Sequence, residues 1–201
     1  MLSSDTTPIP AQYTRFWQWF AKESATIFRF EQDRDRVLDA LSDRLASIHP
    51  SLTFEIGPPE EGRRELILSA DGDKNAFPYV VGLANSAPTL DLWEVIPFRP
   101  PKNLDRFPKV LFGGVELSVD DVWFTHETEG HIFHLDLFIP NLTDENHDTL
   151  AGAAFLLLDM ALGEYVVETR IGGIEFRPLG ESGQQMQRLR RIPSLVNLPE
   201  Q

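Results

Sequence analysis

Leu52, Phe54 and Ile56 alternate with Thr53 and Glu55, the two-residue period of a strand that buries one face. Gly57, Pro58, Pro59 and Gly62 interrupt the alternation, which resumes at Leu66, Leu68 and Ala70, so the two runs predict an antiparallel hairpin closed by a long loop. Asp71-Gly72 ends the second strand. Val80, Val81 and Leu83 then suit a short helix with Pro78 in its first turn and Pro88 past its end. A strand from Leu92 to Phe98 closes the unit, with Pro97 favouring an edge or a strand terminus.

The same order returns around residues 120 to 176. Val122 and Phe124, then Ile132, Phe133, Leu135, Leu137 and Ile139, flank the turn signal Glu129-Gly130 and predict a second hairpin. Thr143 has the chemistry of an N-cap, with Asp144 and Glu145 at the positive end of the helix dipole. Leu150, Ala154, Leu157, Leu158 and Ala161 form the helical stripe, and Gly163 stops it. Tyr165, Val167 and Thr169 alternate with Glu164, Val166 and Glu168, predicting a closing strand that Gly172-Gly173 turns into Ile174 to Phe176.

Two helices precede the first unit. Phe16, Trp17, Phe20, Ile27 and Phe28 mark an aromatic face and are assigned to the core; Val37, Leu38, Leu41, Leu45 and Ile48 mark the second stripe, which ends at His49-Pro50. Residues 99 to 110, with three prolines, resemble a connector. The expected architecture is α+β, mainly antiparallel sheets with helices packed on one face. It comprises two hairpin-helix-strand halves, a pseudo-repeat of 52–98 and 120–176, within a single domain over 1–179. Periodicity is lost beyond Leu179, so 180–201 is expected to be a loosely held tail.

Composition narrows the functional classes. With no cysteine, disulfides and thiolate metal sites are excluded, which suits a reducing compartment. The first residues have no basic start and no apolar run, and the longest apolar stretch, Ala151 to Leu162, is broken by Asp159 and falls short of the roughly 20 residues needed to cross a bilayer. The expected location is the cytoplasm. A net charge of −13 argues against nucleic acid and anionic membranes and leaves a protein partner with a basic surface.

Most motif-like strings fail on their chemistry. Asp71 to Asn75 imitates the start of a calcium loop, yet Ala76 stands where a glycine is required and Gly82 where a bidentate glutamate is required. Asn141-Leu142-Thr143 has the pattern of a sequon, but helix capping is its better role. Gly113-Gly114 and Gly172-Gly173 lack the spacing of a phosphate loop, and no nucleophile elbow or zinc-protease pair occurs. No metal or cofactor is expected.

Two weaker constellations remain as a candidate surface site. Pairing Phe54 with Leu66 and Leu52 with Leu68 would set Glu55 opposite Glu65, a carboxylate pair able to hold a metal or to raise one pKa. Alternatively Arg63 or Arg64 simply neutralises it. In the second hairpin His134 and Asp136 share one strand face, with His131 on the other, so an acid-base role is open to them.

Phe16-Trp17-Gln18-Trp19-Phe20, Ser69-Ala70-Asp71-Gly72, and Ala87-Pro88 with Leu90, Trp93 and Phe98 also recur as a set, with Asn141-Leu142-Thr143-Asp144-Glu145-Asn146 and Leu158-Asp159 to Leu162-Gly163-Glu164. In these motifs the chain resembles a family of uncharacterised bacterial proteins of the Bacteroidetes type. The resemblance implies one α+β fold and a bacterial source, and it carries over no catalytic residues. The leading expectation is a non-catalytic binding or accessory module, regulatory or immunity-like. The competing class is a metal-assisted or acid-base hydrolase using Glu55 and Glu65 or His134 and Asp136; a homodimer through sheet edges is a third reading.

Overall fold

The computed structural model describes residues 10–180 and 185–196, in two compact units, Met1–Arg99 and Pro100–Gln201. The fold is α+β, with helices packed on one face of each larger sheet. In the first unit, α1 (Ala11–Phe28) buries Tyr13, Phe16, Trp17, Phe20 and Ile27, and α2 (Arg34–Ala46) buries Val37, Leu41 and Leu45. These aromatics are core: the Phe20 ring meets Trp93 edge-on at 5.2 Å. Both buried indole N–H groups find acceptors, Trp17 at Leu83 O (2.9 Å) and Trp93 at Ser24 Oγ (3.0 Å), so the rings are buried without an orphaned donor.

Beneath these helices β1 (Thr53–Ile56) pairs antiparallel with β2 (Arg64–Ser69); α3 (Phe77–Asn85) follows, and β3 (Trp93–Pro97) returns parallel to β2. The hairpin register lies two residues from the expected one. Phe54 faces Leu68, Ile56 faces Leu66, and Glu55 faces Ile67. The displacement is even, so every apolar residue keeps its face. Glu60 and Arg63 exchange backbone hydrogen bonds of 2.8 and 2.9 Å around Glu61 and Gly62, both at positive φ (49° and 82°). Between that turn and the ladder, Gly57, Pro58 and Pro59 stand against only Arg64 and Glu65, and this additional residue on the first strand sets the observed register.

In the second unit β4 (Lys109–Phe112) and β5 (Val115–Ser118) form a small hairpin within and beyond the expected connector. The Phe112 ring lies so close to Gly152 that a Cβ there would sit 2.4 Å from it. The main sheet contains β6 (Trp123–Glu129), β7 (Ile132–Ile139), β8 (Ile171–Pro178) and β9 (Gln187–Arg188) in the order β8-β7-β6-β9. Between β7 and β8 run α4 (His147–Leu162) and α5 (Glu164–Arg170). As in the first unit, the hairpin is antiparallel and the strand after the helix returns parallel to the hairpin's second strand.

Three local expectations are corrected here. The strand expected over 164–169 is helix α5, bent 106° from α4 at Gly163, whose φ of 77° favours glycine. Burying Glu164 and Val167 in α5, with Ile171 directly after it, selects the helical period over the alternating one. Helix α4 starts at His147 and not after Thr143. Asn146 Oδ1 accepts from Thr143 N–H (2.8 Å) and Asn146 Nδ2 donates to Asn141 O (2.9 Å), which holds the preceding turn.

The third correction concerns the tail. Its described part from Gln187 is anchored: β9 pairs with β6, and Leu189, Ile192 and Val196, the latter two on and just after α6 (Ile192–Leu195), are buried in the core. Arg190 clamps Asp120 with two hydrogen bonds of 2.7 Å and reaches Asp105 at 2.7 Å. Residues 181–184 and 197–201 lie outside the described residues.

Leu68 is fully buried and Phe54 only half-buried. Chemical denaturation is expected to show Leu68→Ala costing about 2 to 5 kcal/mol, with a smaller loss for Phe54→Ala. Hydrogen bonding from Arg190 holds the Asp120 carboxyl below its ordinary value of 3.8. Its stabilising contribution is therefore complete above pH ~4 and declines as pH falls through the lowered folded-state value. Asp120→Asn is expected to cost about 1 kcal/mol at pH 7, and the gap to wild type should narrow in denaturation curves taken below pH ~4.

Candidate functional site

Alternation along the main sheet divides its side chains between two faces. Phe124, Leu135, Leu137 and Ile139 join the core. The other face is built in rows across the paired strands: Glu127, His134 and Gly173 in one, and Thr125, Asp136 and Glu175 in the next. Arg177 follows on β8. These residues line an open hollow of about 360 Å³.

The sheet has a register irregularity where Phe133 and His134 of β7 meet Ile171 and Gly173 of β8, leaving Gly172 as an additional residue. The imidazole of His134 lies against this glycine pair. A Cβ on Gly172 would come within 2.8 Å of His134 Cε1 and 2.5 Å of Ile132 Cγ2. The glycines expected to turn the chain instead continue the strand and make room for the histidine.

His134 and Asp136 share the outer face, yet each is directed to a different partner. His134 Nε2 lies 3.8 Å from Glu129 Oε2, and Asp136 Oδ1 accepts from Arg177 Nε at 3.0 Å. Glu127 and Glu175 make no ion pair among the described residues. Sequence reasoning missed both, together with Thr125 and Arg177. The signal lies in the alternation of Glu175 and Arg177 with Ile174 and Phe176, which after Gly172-Gly173 reads as a short run, whereas the chain forms a full strand beside β7.

Glu55 and Glu65 belong to the first unit and do not face each other. Glu55 lies across from Ile67 and 3.9 Å from Arg99 Nη1, which also bonds Asp71 at 2.9 Å. Glu65 stands across from Gly57, whose N–H donates to Glu65 O at 3.0 Å, and beside Glu94 in the parallel register. Arg64 turns inward instead of relieving these carboxylates. It is 7% exposed, its guanidinium lies over Phe28 and Phe30 at 5.2 and 5.3 Å, and it bonds Glu31 and Gly57 O. Among the described residues, no three His, Asp or Glu side chains converge as metal ligands.

Family models, curated proteins and solved structures were compared with the chain, and none matched. The motifs behind the Bacteroidetes-type resemblance are occupied with structure. Ser69 Oγ accepts from Asp71 N–H as Asp71 and Gly72 adopt positive φ, and Asp159 O accepts from Gly163 N–H at 2.7 Å where α4 ends. Phe16, Trp17, Phe20 and Trp93 are core.

The close approach at the irregularity gives a direct test. Gly172→Ala is expected to cost about 1 to 3 kcal/mol in chemical denaturation and to shift the imidazole resonances of His134, because the new methyl displaces the ring; Gly173→Ala, at 3.3 Å from His134 Nδ1, should be milder.

Proposed function

We propose that this protein is a non-catalytic binding module that engages a basic protein partner through the outer face of β6, β7 and β8. The observation that carries the reading is the open hollow whose lining includes Glu127 and Glu175, neither of which makes an ion pair among the described residues. An unpaired surface carboxylate is solvated at little cost and gains when a cation arrives. The net charge of −13 adds a long-range field of the same sign, which speeds encounter with a basic surface and weakens as salt rises.

The competing acid-base reading needs His134 and Asp136 to act together. Their separate engagements with Glu129 and Arg177 give it no support. A regulatory or immunity-like role in the cytoplasm fits the absence of cysteine and the acidic composition. No helix among the described residues is long and apolar enough to cross a membrane.

Tagged protein should retain a basic partner from native extract at low salt and release it at high salt. Glu127→Gln with Glu175→Gln is expected to lower that retention about tenfold, whereas Glu55→Gln with Glu65→Gln should leave it unchanged. Equal retention by wild type and the Glu127/Glu175 variant would overturn the assignment to this face.

A further inference from the structure

β8 ends the main sheet, with β7 on one side and no strand on the other among the described residues. The direction of its polar groups follows from one bond: Leu179 N–H donates to Ile139 O at 3.0 Å, so Leu179 faces β7. Alternate residues of a strand face the same neighbour. The main chain of Glu175 and Arg177 therefore bonds β7, and Ile174, Phe176 and Pro178 present theirs to the open side. Among the described residues nothing pairs with the main chain of Ile174 and Phe176 there. The chain next pairs at Gln187 and Arg188, on the far edge of the sheet beside β6.

This stretch lies past the irregularity at Gly172 and alternates in both polarity and charge. Glu175 and Arg177 are exposed on the outer face, one of each sign; Ile174 and Phe176 are half-buried against the core. A second β8 laid antiparallel has few registers that match outward groups with outward groups. Centred on Ile174, the pairing sets Glu175 against Gly173. Centred on Glu175 or on Arg177, it sets a charge against itself, which is destabilising across a strand pair. Centred on Phe176, it sets Glu175 of each copy against Arg177 of the other. These residues then occupy a non-hydrogen-bonded pair, where side chains approach most closely.

We propose that β8 is a dimerisation edge, which pairs antiparallel with β8 of a second copy about Phe176 and joins the two main sheets into one. Phe176 exchanges main-chain hydrogen bonds with its counterpart, and each Ile174 N–H donates to Pro178 O of the second copy. Pro178 has no N–H to return, so Ile174 O stays with water. On the core face the two Phe176 rings meet at the axis, an aromatic cross-strand pair. On the outer face Leu179, 40% exposed, comes opposite Gly173, where no side chain stands. Arg177 keeps Asp136 through Nε, since a guanidinium serves several acceptors at once. The axis is perpendicular to the sheet, so the outer faces of both copies look the same way. The inference goes beyond the basic-partner reading and is independent of it, because it needs no partner other than the chain itself and does not involve Glu127.

The experiment is light scattering of the full chain over a wide concentration range, with amide exchange measured on the same samples. Wild type should dimerise reversibly, and exchange at Ile174 and Phe176 should slow as concentration rises. Glu175→Arg and Arg177→Glu, each checked for folding by circular dichroism, should each weaken dimerisation by about tenfold or more, since each sets like charges together at both pairs. Their equimolar mixture should restore the dimer, because a mixed pair has opposite charges at both positions; a merely structural effect of either substitution would not be rescued by mixing. Glu175→Arg, at an exposed position, decides alone where Arg177→Glu does not fold. A monomer at every concentration would overturn the proposal, and protection of the Ile174 and Phe176 amides in that monomer by an added extended peptide would assign the edge to a foreign strand. A dimer indifferent to Glu175→Arg, or one without protection at Ile174 and Phe176, would overturn it too.

Discussion

The second unit depends on the pairing of β7 on both of its sides. Its antiparallel contact with β6 and parallel contact with β8 satisfy its backbone while Leu135, Leu137 and Ile139 are buried beneath α4 and α5. A strand paired on both sides cannot slip by one residue without exposing that apolar set. The same constraint fixes which residues are displayed. His134 and Asp136 are outward because their neighbours are inward, and Glu127 and Glu175 join them only because β6 and β8 are in register with β7.

The irregularity beside His134 shows how backbone and side chain are matched. Gly172 and Gly173 let β8 approach where an imidazole occupies the space a Cβ would need. Beyond it, Asp136 is neutralised by Arg177, while Glu175, its neighbour on β8, makes no ion pair among the described residues. Acidic character on this face thus arises from an uneven distribution of counter-charges, which neither the composition nor the net charge reveals.

Arginines carry much of the remaining polar organisation. Arg64 lies over the rings of Phe28 and Phe30 and is bonded to Glu31, so it contributes packing as well as charge. Arg190 joins Asp120 and Asp105 and holds the segment after β9 to the unit, where Leu189 and Ile192 complete the core. Both use the planar guanidinium to satisfy several acceptors at once. Neither role follows from periodicity, since an arginine in a strand or a polar tail has the same pattern whether it is solvated or engaged.

The sequence by itself determined what depends on short-range periodicity and turn chemistry. The aromatic helix, the two hairpins, the α4 stripe and its end at Gly163 were legible because each is encoded within a few residues. Local pattern was insufficient where two periods compete, as at 164–170, where β-branched residues alternate convincingly but burial of Glu164 and Val167 selects a helix. Tertiary structure also decided the hairpin register, through the additional residue at Gly57 to Pro59 behind the turn at Glu61-Gly62, and the anchoring of the tail through Leu189 and Arg190. It likewise decided the candidate site: Glu55 and Glu65 were legible as charges and His134 and Asp136 as one face. His134 and Asp136 meet their true neighbours Thr125, Glu127, Glu175 and Arg177 from two other strands, separated by more than forty residues of sequence between Glu127 and Glu175, and only strand pairing brings those together.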